Sequence, residues 1–267
     1  MGNFCCIRDK NSLHVPTKEE QDLDALFASN PPEIIIKTVD EANLLFEKNQ
    51  EKSDLLLKFI FISPEEPYLF LKMISNFQYS HNYKKISFEL GPFLSKETAE
   101  LLLTALQDMN SLEVLELKLG ENSNLDDNFI TSLATLINNS ICFNLKEFHL
   151  NISKAKITNV NNMIKAILDR ESLERVILKL RQNNFNDEDF EIVGSILTKK
   201  SLKYLELDLH DNCGHEKAAQ TFVKLIEENK TLQSAVFDFT NNRFTKTDKA
   251  SLSEVVEKKK NVFTLKI

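Results

Sequence analysis

The chain has 267 residues, room for one elongated repeat domain or two small globular ones, and its 42% hydrophobic and 27% charged content is that of an ordinary folded protein. Its 33 basic and 40 acidic side chains leave a formal charge of −7, which argues against the basic stripe that a nucleic-acid binder presents. Cys5, Cys6, Cys142 and Cys213 make no disulfide framework, residues 1–30 lack the apolar core of a signal peptide, and the longest apolar stretch is broken at Ser63-Pro64-Glu65-Glu66-Pro67, so the expectation is an intracellular protein without a membrane span.

The amino terminus reads Met1-Gly2-Asn3-Phe4-Cys5-Cys6. Removal of Met1 exposes Gly2, the acceptor for N-myristoylation, although Cys6 stands where the simple motif prefers Ser or Thr. This start resembles that of dually acylated peripheral membrane proteins. The resemblance implies lipidation at Gly2, Cys5 and Cys6 and a location on the cytoplasmic face of a membrane, ciliary or plasma. A single myristoyl chain attaches only marginally, so a stable anchor needs the second chain that a cysteine pair can carry. Residues 1–30 then read as a flexible tail, its polar, acidic remainder acting as a tether.

Residues 31–82 read as a divergent capping region, which a solenoid needs to cover the first edge of its core. Within it, Glu33–Lys37 (EIIIK) fits a strand followed by a helix over Asp40–Lys48. Leu56–Phe61 (LLKFIF) fits the strand of a degenerate repeat spanning 56–82, with a helix-like stretch at Tyr68–Phe77.

From residue 83 one phrase recurs: an apolar residue, two variable positions, then apolar residues in alternation. It starts at Tyr83, Leu112, Leu145, Leu173, Leu202, Leu232 and Val262, a spacing of 28 to 33 residues. The alternation predicts strands with one buried face. Between them Phe129, Leu133, Leu136 and Ile137 share one helical face, as do Phe190, Val193, Ile196 and Leu197, and Leu252, Val255 and Val256. Asn122, Asn183, Asn212 and Asn242 follow the strands, where a carboxamide can satisfy backbone groups as the chain turns away. These residues resemble the leucine-rich-repeat family, in its ribonuclease-inhibitor-like class with a full helix per repeat. The resemblance implies an α/β solenoid over 83–267, about seven strands forming a parallel concave sheet with helices on the convex side. Members of that class carry a glycine near the start of the helix; this chain mostly lacks it, which predicts irregular turns, and the longest step predicts an extended turn over Glu121–Asp127.

In such strands the residues between the buried positions face the concave side. They are Ser87 and Glu89, Glu116 and Lys118, His149 and Asn151, Ile177 and Lys179, Glu206 and Asp208, Val236 and Asp238. Glu116, Lys118, His149, Asn151, Lys179, Glu206, Asp208 and Asp238 are the candidate partner-binding residues, and the acidic later repeats could steer a basic patch on a partner. Phe263, Leu265 and Ile267 on the final strand suggest a docking edge.

No phosphate loop, nucleophile elbow or HExxH motif occurs, so no catalytic residue and no cofactor are expected. His210, Asp211, Cys213 and His215 lack a second ligand pair at zinc-like spacing, and no metal is expected. The function these features imply is a non-catalytic protein-interaction module or scaffold, tethered to a membrane by acylation, without nucleic-acid or small-molecule partners. The alternatives are a structural subunit of a cytoskeletal or ciliary assembly without acylation and, by resemblance to long repeats of this class, a GTPase activator presenting Arg181 with Asn183, or Arg243 beside Asn241 and Asn242.

Overall fold

A computed structural model describes residues 33–36, 56–60, 68–69, 84–90, 94–107, 109, 111–120, 125–138 and 144–267. Among these, nine strands lie side by side in sequence order in one sheet: β1 (Glu33–Ile36), β2 (Leu56–Ile60), β3 (Lys85–Glu89), β4 (Val114–Lys118), β5 (Glu147–Asn151), β6 (Arg175–Lys179), β7 (Tyr204–Asp208), β8 (Ser234–Asp238) and β9 (Phe263–Lys266). Every neighbouring pair is parallel. Besides the seven strands of residues 83–267, the sheet takes in EIII and LLKFI, the two earlier segments that also fit strands in the sequence. The helices expected over 40–48 and 68–77 lie outside the described residues apart from 68–69, as do Asn122, Cys142 and the turn at 121–124.

Each strand from β4 to β8 buries its second and fourth residues against the helices and turns the other three outward, as a period of two requires. Asp208, a fifth-position residue, is buried as well. The helices are α1 (Lys96–Gln107), α2 (Asp127–Asn138), α3 (Asn161–Asp169), α4 (Asp187–Gly194), α5 (Glu216–Glu228) and α6 (Lys246–Lys258). They back the sheet on its convex side. Strands sit about 4.8 Å apart whereas packed helices need about 8–10 Å, so each repeat is a wedge and the stack must curve toward the sheet.

The core between the two layers is apolar, and its bulk changes along the stack. Aliphatic residues predominate in the middle repeats, around Phe129 and Phe148, while Phe190, Phe222, Phe237, Phe239, Phe244 and Phe263 form one aromatic cluster in the later ones. The helix ends are closed locally. Asn186 and Asp189 form a reciprocal capping box on α4, and Thr245 and Asp248 form one on α6. They are also closed from the next repeat. Lys199 Nζ donates to the carbonyls of Leu168 and Arg170, and Lys259 Nζ to those of Ile226, Glu227 and Asn229. Each lysine places its charge against the negative end of the preceding helix.

The strand ends need the same treatment, and the asparagines supply it. The Asn212 amide donates to the carbonyls of Leu209 and His210 in its own repeat and of Leu180 in the repeat before. Its Oδ1 accepts from the backbone N–H groups of Asn183 and Phe185. Asn183 repeats the pattern on Leu180, Arg181 and Ile152, and Asn242 on Phe239 and Leu209. Asn183 and Asn212 are buried, so these bonds have no water to replace them. In the β5 repeat the equivalent position is Ala155, and Ile152 O receives its bond from Asn183 instead.

Among the described residues the exit turns share one left-handed position: Gln182, Asp211 and Asn241, each just before a ladder asparagine, hold φ of 54°, 54° and 58°, and Lys154 before Ala155 holds 59°. Lys156 and Asn184 add a second left-handed residue after β5 and β6 that the turns after β7 and β8 lack, so the turns differ in detail while non-glycine residues supply the shared conformation. Gly214 makes room for a neighbour: a Cβ there would lie 2.9 Å from the Phe190 ring.

Two stability predictions follow from these features. Asn212→Ala leaves the loop N–H groups of Asn183 and Phe185 without their acceptor and removes one of two donors from the carbonyls of Leu180 and Leu209, and is expected to lower unfolding free energy by about 2–4 kcal/mol in urea titrations. Lys156, exposed and at φ 57°, carries left-handed strain without packing; Lys156→Gly is expected to raise stability by about 0.5–1 kcal/mol in the same assay.

Candidate functional site

The outward side chains fall into three rows across the concave face, fixed by the strand register. The first runs Lys85, Val114, Glu147, Arg175, Tyr204, Ser234, and the second Ser87, Glu116, His149, Ile177, Glu206, Val236, Thr264. The third runs Glu89, Lys118, Asn151, Lys179, Asp208, Asp238, Lys266. All eight candidate residues lie in the second and third rows. The first row was missed by the sequence reading, although it is the position just before each phrase's first buried strand residue.

The centre of the face is acidic. Glu116 accepts from the Ser87 hydroxyl at 2.6 Å and lies 3.2 Å from Lys118. Burial alone would raise its carboxyl, but the Ser87 bond and the Lys118 charge bring it below the usual range. Glu147 stands 3.6 Å from His149 and 3.7 Å from Arg175. The Arg175 guanidinium sits 3.8 Å from the centre of the Tyr204 ring, and the Tyr204 hydroxyl donates to Glu206 at 3.3 Å. His149, Ile177 and Glu206 line a shallow depression of about 90 Å³. His149 Nε2 is buried there without a hydrogen-bond partner. Burial pushes the imidazole pKa down, only partly offset by Glu116, Glu147 and Glu206.

The third row and the turns after it form a different surface. An open groove of about 590 Å³ follows the carboxyl ends of the strands from β3 to β7. Lys118, Lys154, Lys179 and Arg181 line it together with His210, against the single carboxylate Glu89.

The acidic column of the later repeats is less available than its sequence suggests. The Asp208 side chain is 6% exposed and is clamped by Arg181 Nε. Asp238 accepts from the Thr240 hydroxyl at 2.6 Å and has Lys266 at 3.7 Å. Burial would raise its carboxyl, but Thr240, Lys266 and His210 together hold it below the usual range. Glu206 alone of the three faces the central depression. On β9, Phe263 is 2% exposed, while Leu265 and Ile267 are partly buried against the core.

The remaining constellations come apart in space. His210 bonds Thr240 through Nδ1 and lies 2.9 Å from Asp211 through Nε2, while the His215 N–H donates to Asp187. Among the described residues no three such side chains group to hold a metal. Arg181 Nε is bound to Asp208 and the Asn183 amide donates to backbone carbonyls. Asn242 is likewise engaged in the ladder, leaving Arg243 exposed beside it. Gly2, Cys5 and Cys6 lie outside the described residues, and among the described residues no helix is long and apolar enough to cross a membrane.

No family model matches the chain. No curated protein matches its sequence. Solved structures similar at a distance include the following two. Actin-binding site 2 of leiomodin-1 shares 12% identity over 74% of this chain and 89% of that one, with a TM-score of 0.35. The C-terminal domain of tropomodulin from Caenorhabditis elegans shares 15% identity over 70% of this chain and 91% of that one, with a TM-score of 0.32.

The buried imidazole gives the face a pH dependence of definite sign. Below the ordinary histidine value of 6.5 the unfolded chain takes up a proton that folded His149 resists. Stability contributed by the site therefore falls as pH drops through that value. His149→Gln is expected to flatten the loss of unfolding free energy between about pH 7 and about pH 5, measured by urea titration at each pH.

Proposed function

We propose that the protein is a non-catalytic interaction module that binds another protein on its concave sheet face. The observation that carries this reading is the lattice of three outward rows, whose side chains are positioned by the stacked repeats. Within it, acidic groups surround an imidazole nitrogen that no protein group satisfies. An unpaired buried nitrogen costs free energy, and a polar group of a partner reaching it through the depression would relieve that cost. Val114, Ile177 and Val236, half-exposed among the charges, offer apolar contact to the same partner.

Proximity labelling with the full chain and with a Glu116→Lys/Glu206→Lys variant tests the reading. A helix-side control, Glu254→Lys/Glu257→Lys, changes exposed residues of α6. The concave variant is expected to lose the specific neighbours that the control retains. Identical neighbours in all three would contradict it. A TM-score of 0.35 transfers no partner from leiomodin-1, so actin enters only as one bait among several in direct binding assays.

The same proposal includes a membrane tether. With Met1 as the initiating residue, Gly2 would carry myristate and Cys5 or Cys6 a second acyl chain, which supplies the two signals that stable anchoring needs. A clickable myristate analogue is expected to label the wild type and not Gly2→Ala. An unlabelled wild type found in the soluble or cytoskeletal fraction would replace the tether by the alternative, a structural subunit of a cytoskeletal or ciliary assembly.

A further inference from the structure

The groove along the carboxyl ends of the strands contrasts with the rest of the molecule. The chain carries a formal charge of −7, yet four of this groove's five formally charged linings are cationic. We propose that this groove holds an extended acidic segment, rich in Asp or Glu, of a protein partner. The inference rests on the concave-face reading and adds to it the chemistry of what is bound.

The cations are not all committed elsewhere. Lys118 shares its charge between Glu89 at 3.7 Å and Glu116 at 3.2 Å, and Arg181 is set by Asp208. Lys179 stands between Asn151 and Asp208 in the third row and makes no ion pair among the described residues. Arg181 binds Asp208 through Nε, while the side chain remains 48% exposed, so the guanidinium is oriented without being covered. Ser153 and Gln182 add polar side chains along the same groove.

The dimensions favour a strand-like occupant. The groove crosses about four strand intervals, on the order of 19 Å, which an extended chain covers with about six residues. Neighbouring turns repeat the same left-handed geometry at Lys154 and Gln182, and both residues line the groove. An extended peptide with carboxylates on alternate residues presents charges along one edge at about 6.7 Å, a spacing that lets successive carboxylates meet cations of successive or alternate repeats. A compact phosphate would meet one end of the groove and leave the other cations unused.

Fluorescence anisotropy on the full chain tests the proposal with a labelled decapeptide alternating Glu with Ser. The same peptide with Gln in place of Glu is the neutral control, and inorganic phosphate is the competing anion. Binding of the acidic peptide alone is expected, weakened about tenfold by Lys154→Gln/Lys179→Gln and by raising salt. A Lys217→Gln variant on α5 should bind like the wild type, and a urea titration of each variant confirms that it is folded. No binding of the acidic peptide, equal binding of the Gln peptide, unchanged binding by the folded double variant, or displacement by phosphate at the peptide's own concentration would each overturn the proposal. If the peptide fails while Glu116→Lys/Glu206→Lys still loses its neighbours, the rim assignment falls and the concave-face reading stands. If neither set of variants changes the neighbours, that reading falls as well.

Discussion

A strand that leaves a parallel sheet must abandon the carbonyls of its last residues, and here a buried asparagine one turn later takes them over. Asn212 is the clearest instance, because one carboxamide donates to the ends of two consecutive strands and accepts from the loop of the preceding repeat. It ties two repeats to each other through one buried side chain. The lysines at the opposite end of the repeat do the same for the helices, Lys199 and Lys259 each reaching back onto the preceding helix's last carbonyls. Both devices act between neighbours in sequence order, so the stack is a chain of nearest-neighbour contacts.

The binding surface inherits its geometry from that stack. With the register fixed, Glu116 must face His149 and Ile177 must face Glu206, whatever the side chains prefer. Charges so placed are neutralised where a neighbouring repeat supplies the opposite sign, as Arg181 does for Asp208. They remain available where it does not, as at Lys179. The result is a face divided lengthwise, acidic at its centre and basic along the carboxyl ends of its strands. Such a division would fix the direction in which a partner chain lies, because reversal would set like charges together.

Much of this was legible in the sequence. Alternating apolar residues spaced 28 to 33 apart identify the strands, and the asparagines after them identify the exit turns. The eight candidate residues follow from the same alternation, and seven of them are partly exposed on the outward rows while Asp208 is buried. What sequence could not supply is pairing across a repeat. Asp208 reads as an exposed acid because its partner Arg181 lies 27 residues earlier, beyond the strand frame altogether. Lys154, Gln182 and His210 join the groove through turn geometry, which the apolar pattern does not encode. The left-handed turns were hidden for a related reason: glycine is the usual signal, and Gln182 and Lys154 adopt the conformation without it because the surrounding bonds outweigh the strain. Ala155 interrupts the asparagine column without interrupting the stack, since Asn183 reaches back to Ile152.

Hydrogen exchange at two loop amides tests the central constraint most directly. The N–H groups of Asn183 and Phe185 lie outside any strand or helix, and ordinary turn amides of that kind exchange freely. Bonded to the buried Asn212 carboxamide at 3.0 and 3.1 Å, they should be protected as strongly as the amides of β6 and β7, and should lose that protection in Asn212→Ala. Rapid exchange of both amides in the wild-type protein, with β6 and β7 still protected, would mean that the repeats are held together by something other than the asparagine ladder.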